Sequence, residues 1–379
     1  CSPMRLNPAA TDDQRPIDTA EMTCVCSGGV DNTVVTKDSS VEEVQTNAST
    51  RRKRGEFVRS VSGFRLAIGD PDFPAEPGRY HLYVALNCPW CHRVTLARSM
   101  LGLQHSITMD IAFPNRTDDD HPAGPSLWQF APEKVATLTG RALPECTSET
   151  GTGESLSVAK QIYQREGSQE QSVPVLYDKQ TGRIVNNESA EIVRMLDAHA
   201  AELGSEHDAR PRLFPDQSGL QAEIARLNER IYVKINNGAY KAGFSSDQTI
   251  YAQAFHAYFE MLDELEEQLS DGRAFLTGEA FTESDLRLFP TLYRHDPVYY
   301  IRMKLNGARI LDYPYLWRWL CRVYALDCVA EASSLLHCRQ GYFGRSWNGV
   351  VPLGPMTPMP YPEAYNHPEL AADPKTATR

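Results

Sequence analysis

The residues richest in chemical possibility run Asn87-Cys88-Pro89-Trp90-Cys91-His92-Arg93. A cysteine placed just ahead of a helix faces unpaired backbone N–H groups and the positive end of the helix dipole, which favour thiolate over thiol. Pro89 suits the first helical turn, because its missing N–H would have had no intrahelical partner. Cys88 is therefore a candidate nucleophile for thiol–disulfide exchange. The plainer alternative is a pair of buried cysteines that only pack. Cys91 has two readings of its own: a resolving thiol for a mixed disulfide on Cys88, or an apolar filler on the inner face of the helix, which is the expectation here. His92 invites a Cys–His pair, but four residues into the motif it is expected to face its own helix surface.

Such a turn needs a strand before it and a helix behind it. Residues 80–86 form an apolar run that reads as a buried strand, and residues 94–101 read as a helix. Residues 107–111 give a second strand. A long irregular insertion with Pro114, Pro122, Gly124, Pro125 and Pro132 follows. Residues 155–165 read as helix and residues 172–178 as a third strand entered through Pro174. Residues 183–185 pair with that strand across a turn containing Gly182. Glu188-Ser189 then opens a helix over residues 190–200. A βαβ unit followed by a ββ hairpin and a helix is the thioredoxin-like arrangement.

The chain has 379 residues, 41% hydrophobic and 23% charged, enough for two domains. A formal net charge of -11 argues against nucleic acid as a partner. No apolar run approaches the roughly 18–20 residues of a membrane span, and there is no secretory segment. Nine scattered cysteines are not a disulfide framework and point to a reducing, cytoplasmic compartment. The first residue is Cys rather than Met, so the true start is expected to be missing and organellar import stays open.

Residues 1–50, rich in Ser, Thr, Asp, Asn and Pro, read as a disordered or variable extension. Cys24 and Cys26 are too few to hold a metal, and no metal is expected. Arg51-Arg52-Lys53-Arg54 has the composition of an import or processing signal; a solvated basic lead-in is the simpler reading. The thioredoxin-like domain is assigned to residues 51–205 and an all-helical domain to residues 206–346. In the helical part Phe255, Tyr258, Phe259, Leu262, Leu265 and Leu269 recur at helical spacing. Thr282 and Asp285 have the spacing of a capping box, with Phe281 and Leu286 placed as a staple, a folding signal. Residues 347–379 read as an irregular tail.

In these segments the chain resembles the glutathione transferases, and among them the glutathionyl-hydroquinone reductases of the Xi class. Phe64-Arg65, residues 73–83 and the Cys-Pro-Trp turn carry the likeness, together with Val173-Pro174-Val175-Leu176 and Asn187-Glu188-Ser189-Ala190-Glu191-Ile192. Residues 236–244, from Asn236-Asn237-Gly238 to Phe244, and residues 276–299 extend it, so that it spans roughly residues 55–355. The resemblance implies a thioredoxin-like domain followed by an all-helical domain, glutathione as cosubstrate and a homodimer.

It also implies roles. Cys88 would attack the sulfur of an aromatic glutathione conjugate, expel the hydroquinone, and be regenerated by a second glutathione. Val173-Pro174 would be cis and pair with the cysteinyl backbone. Glu188 would meet the γ-glutamyl amine, and Ser189 its carboxylate, beside the simpler possibility that the pair only caps a helix. Arg165 would meet the glycyl carboxylate. Trp128 would line the glutathione pocket, or serve as a core or lid aromatic. Tyr232, Tyr240 and Tyr342 are candidates to hold the quinol oxygens; Tyr299 is a further one, expected in the core.

The chain departs from the family pattern twice: Cys91 stands where Ala is usual, and Gly341 where a His precedes the tyrosine. Two other functions therefore stay open. One is a glutaredoxin- or omega-like thiol transferase or dehydroascorbate reductase using Cys88 and Cys91. The other is a non-catalytic ligand-binding protein on the same fold, which the intact Cys88 argues against.

Overall fold

The computed structural model describes residues 50–53, 55–140, 156–206, 212–344, 349–352 and 354. The proposed N-terminal extension, Cys24 and Cys26, and most of the proposed tail lie outside the described residues.

Strands β1 (Thr50–Lys53) and β2 (Glu56–Arg59) form a two-stranded antiparallel hairpin. The basic segment read as a lead-in is thus paired strand as far as Lys53. The central sheet has β3 (Tyr80–Val84), β4 (Thr108–Ile111), β5 (Val175–Asp178) and β6 (Arg183–Asn186) in the order β4-β3-β5-β6. β3 is parallel to β4 and antiparallel to β5, and β5 is antiparallel to β6. Parallel neighbours need a crossover, which α1 (Pro89–Met100) supplies. This is the expected βαβ-ββα arrangement.

Two readings of the insertion needed correction. The segment holds a helix, α2 (Pro132–Thr139), with Pro132 in its first turn and Gly140 left-handed at its end (φ 70°). Those two residues are the usual start and stop signals and were legible. The helix expected over residues 155–165 is only α3 (Lys160–Arg165). The residues ahead of it pair with the insertion: Phe130 N donates to Ser157 O at 2.8 Å and Ala159 N to Trp128 O at 2.9 Å. Once those backbone groups are satisfied across the chain, a local helix has no call on them.

After α4 (Ser189–Ala198), the remainder is helical: α5 (Ser218–Arg230), α6 (Asn237–Phe244), α7 (Gln248–Leu269), α8 (Glu283–Arg294), α9 (Tyr300–Arg302), α10 (Pro314–Tyr324) and α11 (Leu335–Phe343). One π-helical turn, Ile231–Asn236, joins α5 to α6, and another, His295–Tyr299, joins α8 to α9. The long α7 buries Tyr258, Leu262, Leu265 and Leu269, the stripe its spacing predicted. At the start of α8 the capping box forms as expected. Asp285 accepts from Thr282 N at 3.0 Å, from Leu276 N at 2.9 Å and from Trp319 Nε1 at 2.8 Å.

One apolar core runs through both halves, from Ile68 to Phe343. α1 lies inside it, between α4 and α8, with only Trp90 and Met100 not fully buried. This explains why α1 shows no apolar stripe: every face is inside.

Candidate active site

Cys88 is the N-cap of α1, with extended backbone (φ -81°, ψ 122°) and Pro89 next in the helix. Its Sγ lies 3.8 Å from Val173 O, beside the cis Val173-Pro174 bond. Burial alone would raise the thiol pKa. Against it act the Cys91 thiol donating to the sulfur, the N–H groups of Cys91 and Trp90, and the charge of Arg294, and the outcome is a lowering to about 6. Burial and the neighbouring Cys88 sulfur push Cys91 well above the usual thiol range, so it stays protonated. The site thus holds one thiolate and one thiol that donates to it. Cys91 is fully buried.

Arg294, at the end of α8, is buried and reaches under the motif. It donates to Leu86 O at 2.8 Å, Asn87 O at 3.3 Å and Pro290 O at 2.7 Å. Among the described residues no carboxylate pairs with it. A buried guanidinium without an anion is costly, and the Cys88 thiolate, next in the chain to its ligand Asn87, supplies negative charge nearby. Its fourth contact is His92 Nδ1 at 2.9 Å, while His92 Nε2 meets Ser333 Oγ at 2.9 Å. Burial and the Arg294 charge hold His92 neutral, well below its usual range. His92 therefore ties α1 to the helical half.

A cleft open to solvent lies beside Cys88. Val173, Pro174, Ser172, Glu170 and Asn187 line its sheet side, with Glu188 and Ser189 at the start of α4. Cys88 itself is 8% exposed; its neighbours Trp90 and Val173 form the wall next to it. Glu188 caps α4, accepting from Ala190 N at 3.2 Å, so the simple capping role is present along with its place in the cleft. Its other oxygen accepts from Ser62 Oγ at 3.4 Å. Glu170 was missed: buried, its pKa raised by burial, it accepts from Gly63 N at 3.1 Å and Asn187 Nδ2 at 2.5 Å. A lone Glu in a loop gave no signal.

The other candidates divide. Tyr232 lines the cleft, its ring 6.0 Å from that of Trp90. Tyr342 hydroxyl lies 2.8 Å from that of Tyr240 and 3.0 Å from that of Tyr299, so three elements contribute one hydroxyl cluster. Tyr299 is core, as expected, and also a member of that cluster. Burial raises the pKa of all three, which keeps them as neutral hydroxyls. Arg165 and Trp128 are not brought to the cleft. Arg165 is exposed at the end of α3, and buried Trp128 lies under Arg116, whose guanidinium carbon is 3.3 Å from the ring centre. Gly341 has a structural reason. A Cβ there would lie 2.1 Å from Asn87 Nδ2, so α11 can pass the motif only without a side chain.

The Asn236-Asn237 pair meets the two arginines that lie against Trp90. Asn236 Oδ1 accepts from Arg93 at 2.5 Å, and Asn237 Oδ1 faces Arg59 Nε at 3.4 Å. The two guanidinium carbons stand 4.5 Å and 4.3 Å from the Trp90 ring centre. The hairpin carrying Arg59 was not foreseen. It docks on α6 through Glu56 with Lys241 at 2.6 Å and Phe57 against Tyr240 and Phe244. Among the described residues no group of three or more His, Cys, Asp or Glu is arranged for a metal, and no helix is long and apolar enough to cross a membrane.

Comparison with known proteins matches this geometry to a family. Residues 87–199 match the glutathione S-transferase N-terminal domain and residues 248–322 the C-terminal domain. The glutathionyl-hydroquinone reductase PcpF of Sphingobium chlorophenolicum is 35% identical over 82% of this chain and 93% of its own length. YqjG of Escherichia coli, also a glutathionyl-hydroquinone reductase, is 36% identical over 80% and 89%. Its glutathione-bound structure superposes with a TM-score of 0.68, covering 79% of this chain and 95% of that one at 35% identity. The Xi glutathione transferase of Phanerochaete chrysosporium gives 0.70 at 36% identity, covering 80% and 93%. The chain belongs to the glutathione transferases, in the Xi class that contains the glutathionyl-hydroquinone reductases.

Proposed function

We propose that the protein reduces glutathionyl-hydroquinones to hydroquinones with glutathione as cosubstrate. The Cys88 thiolate attacks the sulfur of the conjugate, forming the Cys88–glutathione disulfide and breaking the carbon–sulfur bond. The ring carbon leaves with the bonding pair and takes a proton, becoming the C–H of the hydroquinone. A second glutathione thiolate attacks the mixed disulfide, releasing oxidised glutathione and the Cys88 thiolate. Two sulfurs are oxidised to a disulfide and one aryl carbon is reduced, so the electrons balance. The carrying observation is the lowered Cys88 thiol beside the Val173-Pro174 edge of the cleft.

In this reading Val173 meets the cysteinyl backbone, and Glu188 and Ser189 receive the γ-glutamyl end. Tyr240, Tyr299 and Tyr342 form the hydroxyl set that steadies the quinol oxygens and supplies the proton, with Tyr232 as a wall of the aromatic site. Homodimerisation and a cytoplasmic location belong to the same reading. The test is Cys88→Ser with glutathionyl-menadiol. Turnover should fall by at least about a thousand-fold; a retained rate within ten-fold of the parent rules the mechanism out.

One observation favours a second reading: the Cys91 thiol donates to the Cys88 sulfur. Once deprotonated, Cys91 displaces glutathione, which leaves as the protonated thiol, from Cys88 and closes a Cys88–Cys91 disulfide that two glutathiones reopen. Cys91→Ala separates the readings. Quinol turnover persists under the first and collapses under the second.

A further inference from the structure

Arg59, the last residue of β2, is the only Lys or Arg among the described residues that line the cleft. Its guanidinium carbon is 4.3 Å from the Trp90 ring centre, 5.1 Å from that of Tyr240 and 5.7 Å from that of Phe57. Among the described residues its one hydrogen-bond partner is Asn237 Oδ1 at a long 3.4 Å. Arg79 meets Asp178 and Arg287 meets Glu283, whereas the buried Arg294 meets backbone carbonyls. Arg59 meets no carboxylate among the described residues. The two carboxylates of the cleft are engaged elsewhere, Glu170 by Gly63 and Asn187, Glu188 by Ala190 and Ser62.

A guanidinium has five N–H donors, and most of these are unused. Contact with three rings holds the side chain in place without neutralising it. Little ordering entropy therefore remains to be lost when an anion arrives. The neighbouring carbon faces of Trp90 and Tyr240 place the charge where the glutathione cleft meets the aromatic wall.

We propose that Arg59 is an anion-recognising residue of the cleft, taking an anionic oxygen of the ligand that lies along Cys88. The inference rests on the proposed reaction for what that ligand is. Two parts of a glutathionyl-hydroquinone carry such an oxygen. One is a carboxylate of the glutathione half; the other is a quinol oxygen that gains negative charge as the ring carbon departs. The bidentate donors of arginine suit either.

The experiment compares Arg59→Met, which keeps the stacked stem but no donor, with Arg59→Lys, which keeps the charge. Calorimetric affinity for glutathione and for its diethyl ester is measured beside kcat and KM for glutathionyl-menadiol. If a carboxylate is the partner, Arg59→Met weakens glutathione about ten-fold, Arg59→Lys recovers most of it, and the ester binds parent and variant alike. If the quinol oxygen is the partner, glutathione affinity is unchanged while kcat/KM for the conjugate falls about ten-fold, again recovered by Lys. Binding and turnover within two-fold of the parent in Arg59→Met overturn the proposal. So does an equal loss for glutathione and its ester that Lys does not restore, which would mean the arginine only fastens the hairpin. The calorimetric arm needs no turnover, so it stays readable even if the Cys88→Ser test were to reject the mechanism.

Discussion

On the sheet side of the cleft the groups proposed to bind are mostly backbone or helix-end groups: the Val173 edge, the first turn of α4, and the N–H groups at the start of α1. On the helical side the proposed groups are side chains from four separate elements: Arg59 on β2, which lines the cleft, and the hydroxyl cluster of Tyr240 on α6, Tyr299 on a π-turn and Tyr342 on α11. The first wall is suited to a constant tripeptide, whose peptide groups pair with peptide groups. The second can vary by single substitutions without disturbing the sheet, which suits the part of the substrate that differs. Arg294 and His92 join the two, since both reach from one wall's scaffold to the other's motif.

If the walls divide the labour in this way, substitutions on them should separate kinetically. Tyr342→Phe breaks both hydroxyl contacts of the cluster and should lower kcat roughly ten- to hundred-fold, with glutathione affinity unchanged. An equal loss in glutathione binding, by calorimetry, would erase the distinction. Arg294→Met removes the buried cation that bridges the walls. The Cys88 titration midpoint, followed by thiolate absorbance, should rise towards the free value of about 8.5, and the alkylation rate at pH 6.5 should fall about ten-fold. Arg294→Lys, which keeps a charge, should shift the midpoint less. No shift in either variant would detach Arg294 from the thiolate.

Glu188→Gln lies on the sheet wall and should raise the KM for glutathione several-fold at nearly constant kcat. A fall in kcat with unchanged KM would place Glu188 in the chemistry instead. The smallest effect is expected of Cys91→Ala. At pH 8 the rate should stay within about three-fold of the parent. The sign with pH follows from the lost donor: without it the Cys88 pKa is higher, so less thiolate remains as pH falls. The deficit should therefore widen between pH 7.5 and 6. A deficit that is large and constant with pH would instead support the internal disulfide.

The sheet wall was readable from the chain because its signals are local. Cys88-Pro89 announces a helix start, Pro174 the entry to β5, and Glu188-Ser189 the cap of α4. The helical wall was readable only as helices. That Tyr240, Tyr299 and Tyr342 share hydroxyl contacts depends on packing between segments up to 102 positions apart, which no local pattern encodes. Arg59 was invisible for the same reason, although Gly55 between two short strands, at φ 80°, was a usable turn signal. Arg165 rested on resemblance alone and lies exposed at the end of α3, outside the cleft lining, where the one Lys or Arg among the described residues is Arg59 of the hairpin. The π-turn over Ile231–Asn236 was also hidden, yet it sets the phase in which Asn236 and Asn237 reach their two arginines.

The central claim is that Cys88 takes the glutathionyl group directly from the aromatic carbon. Intact-mass spectrometry of the protein mixed with one equivalent of glutathionyl-menadiol, in the absence of free glutathione, tests it most directly. The expected result is one menadiol released per protein, with a glutathione adduct mapped to Cys88, accumulating fully in Cys91→Ala. Menadiol released with Cys88 unmodified in both proteins, or no release until free glutathione is added, would contradict it.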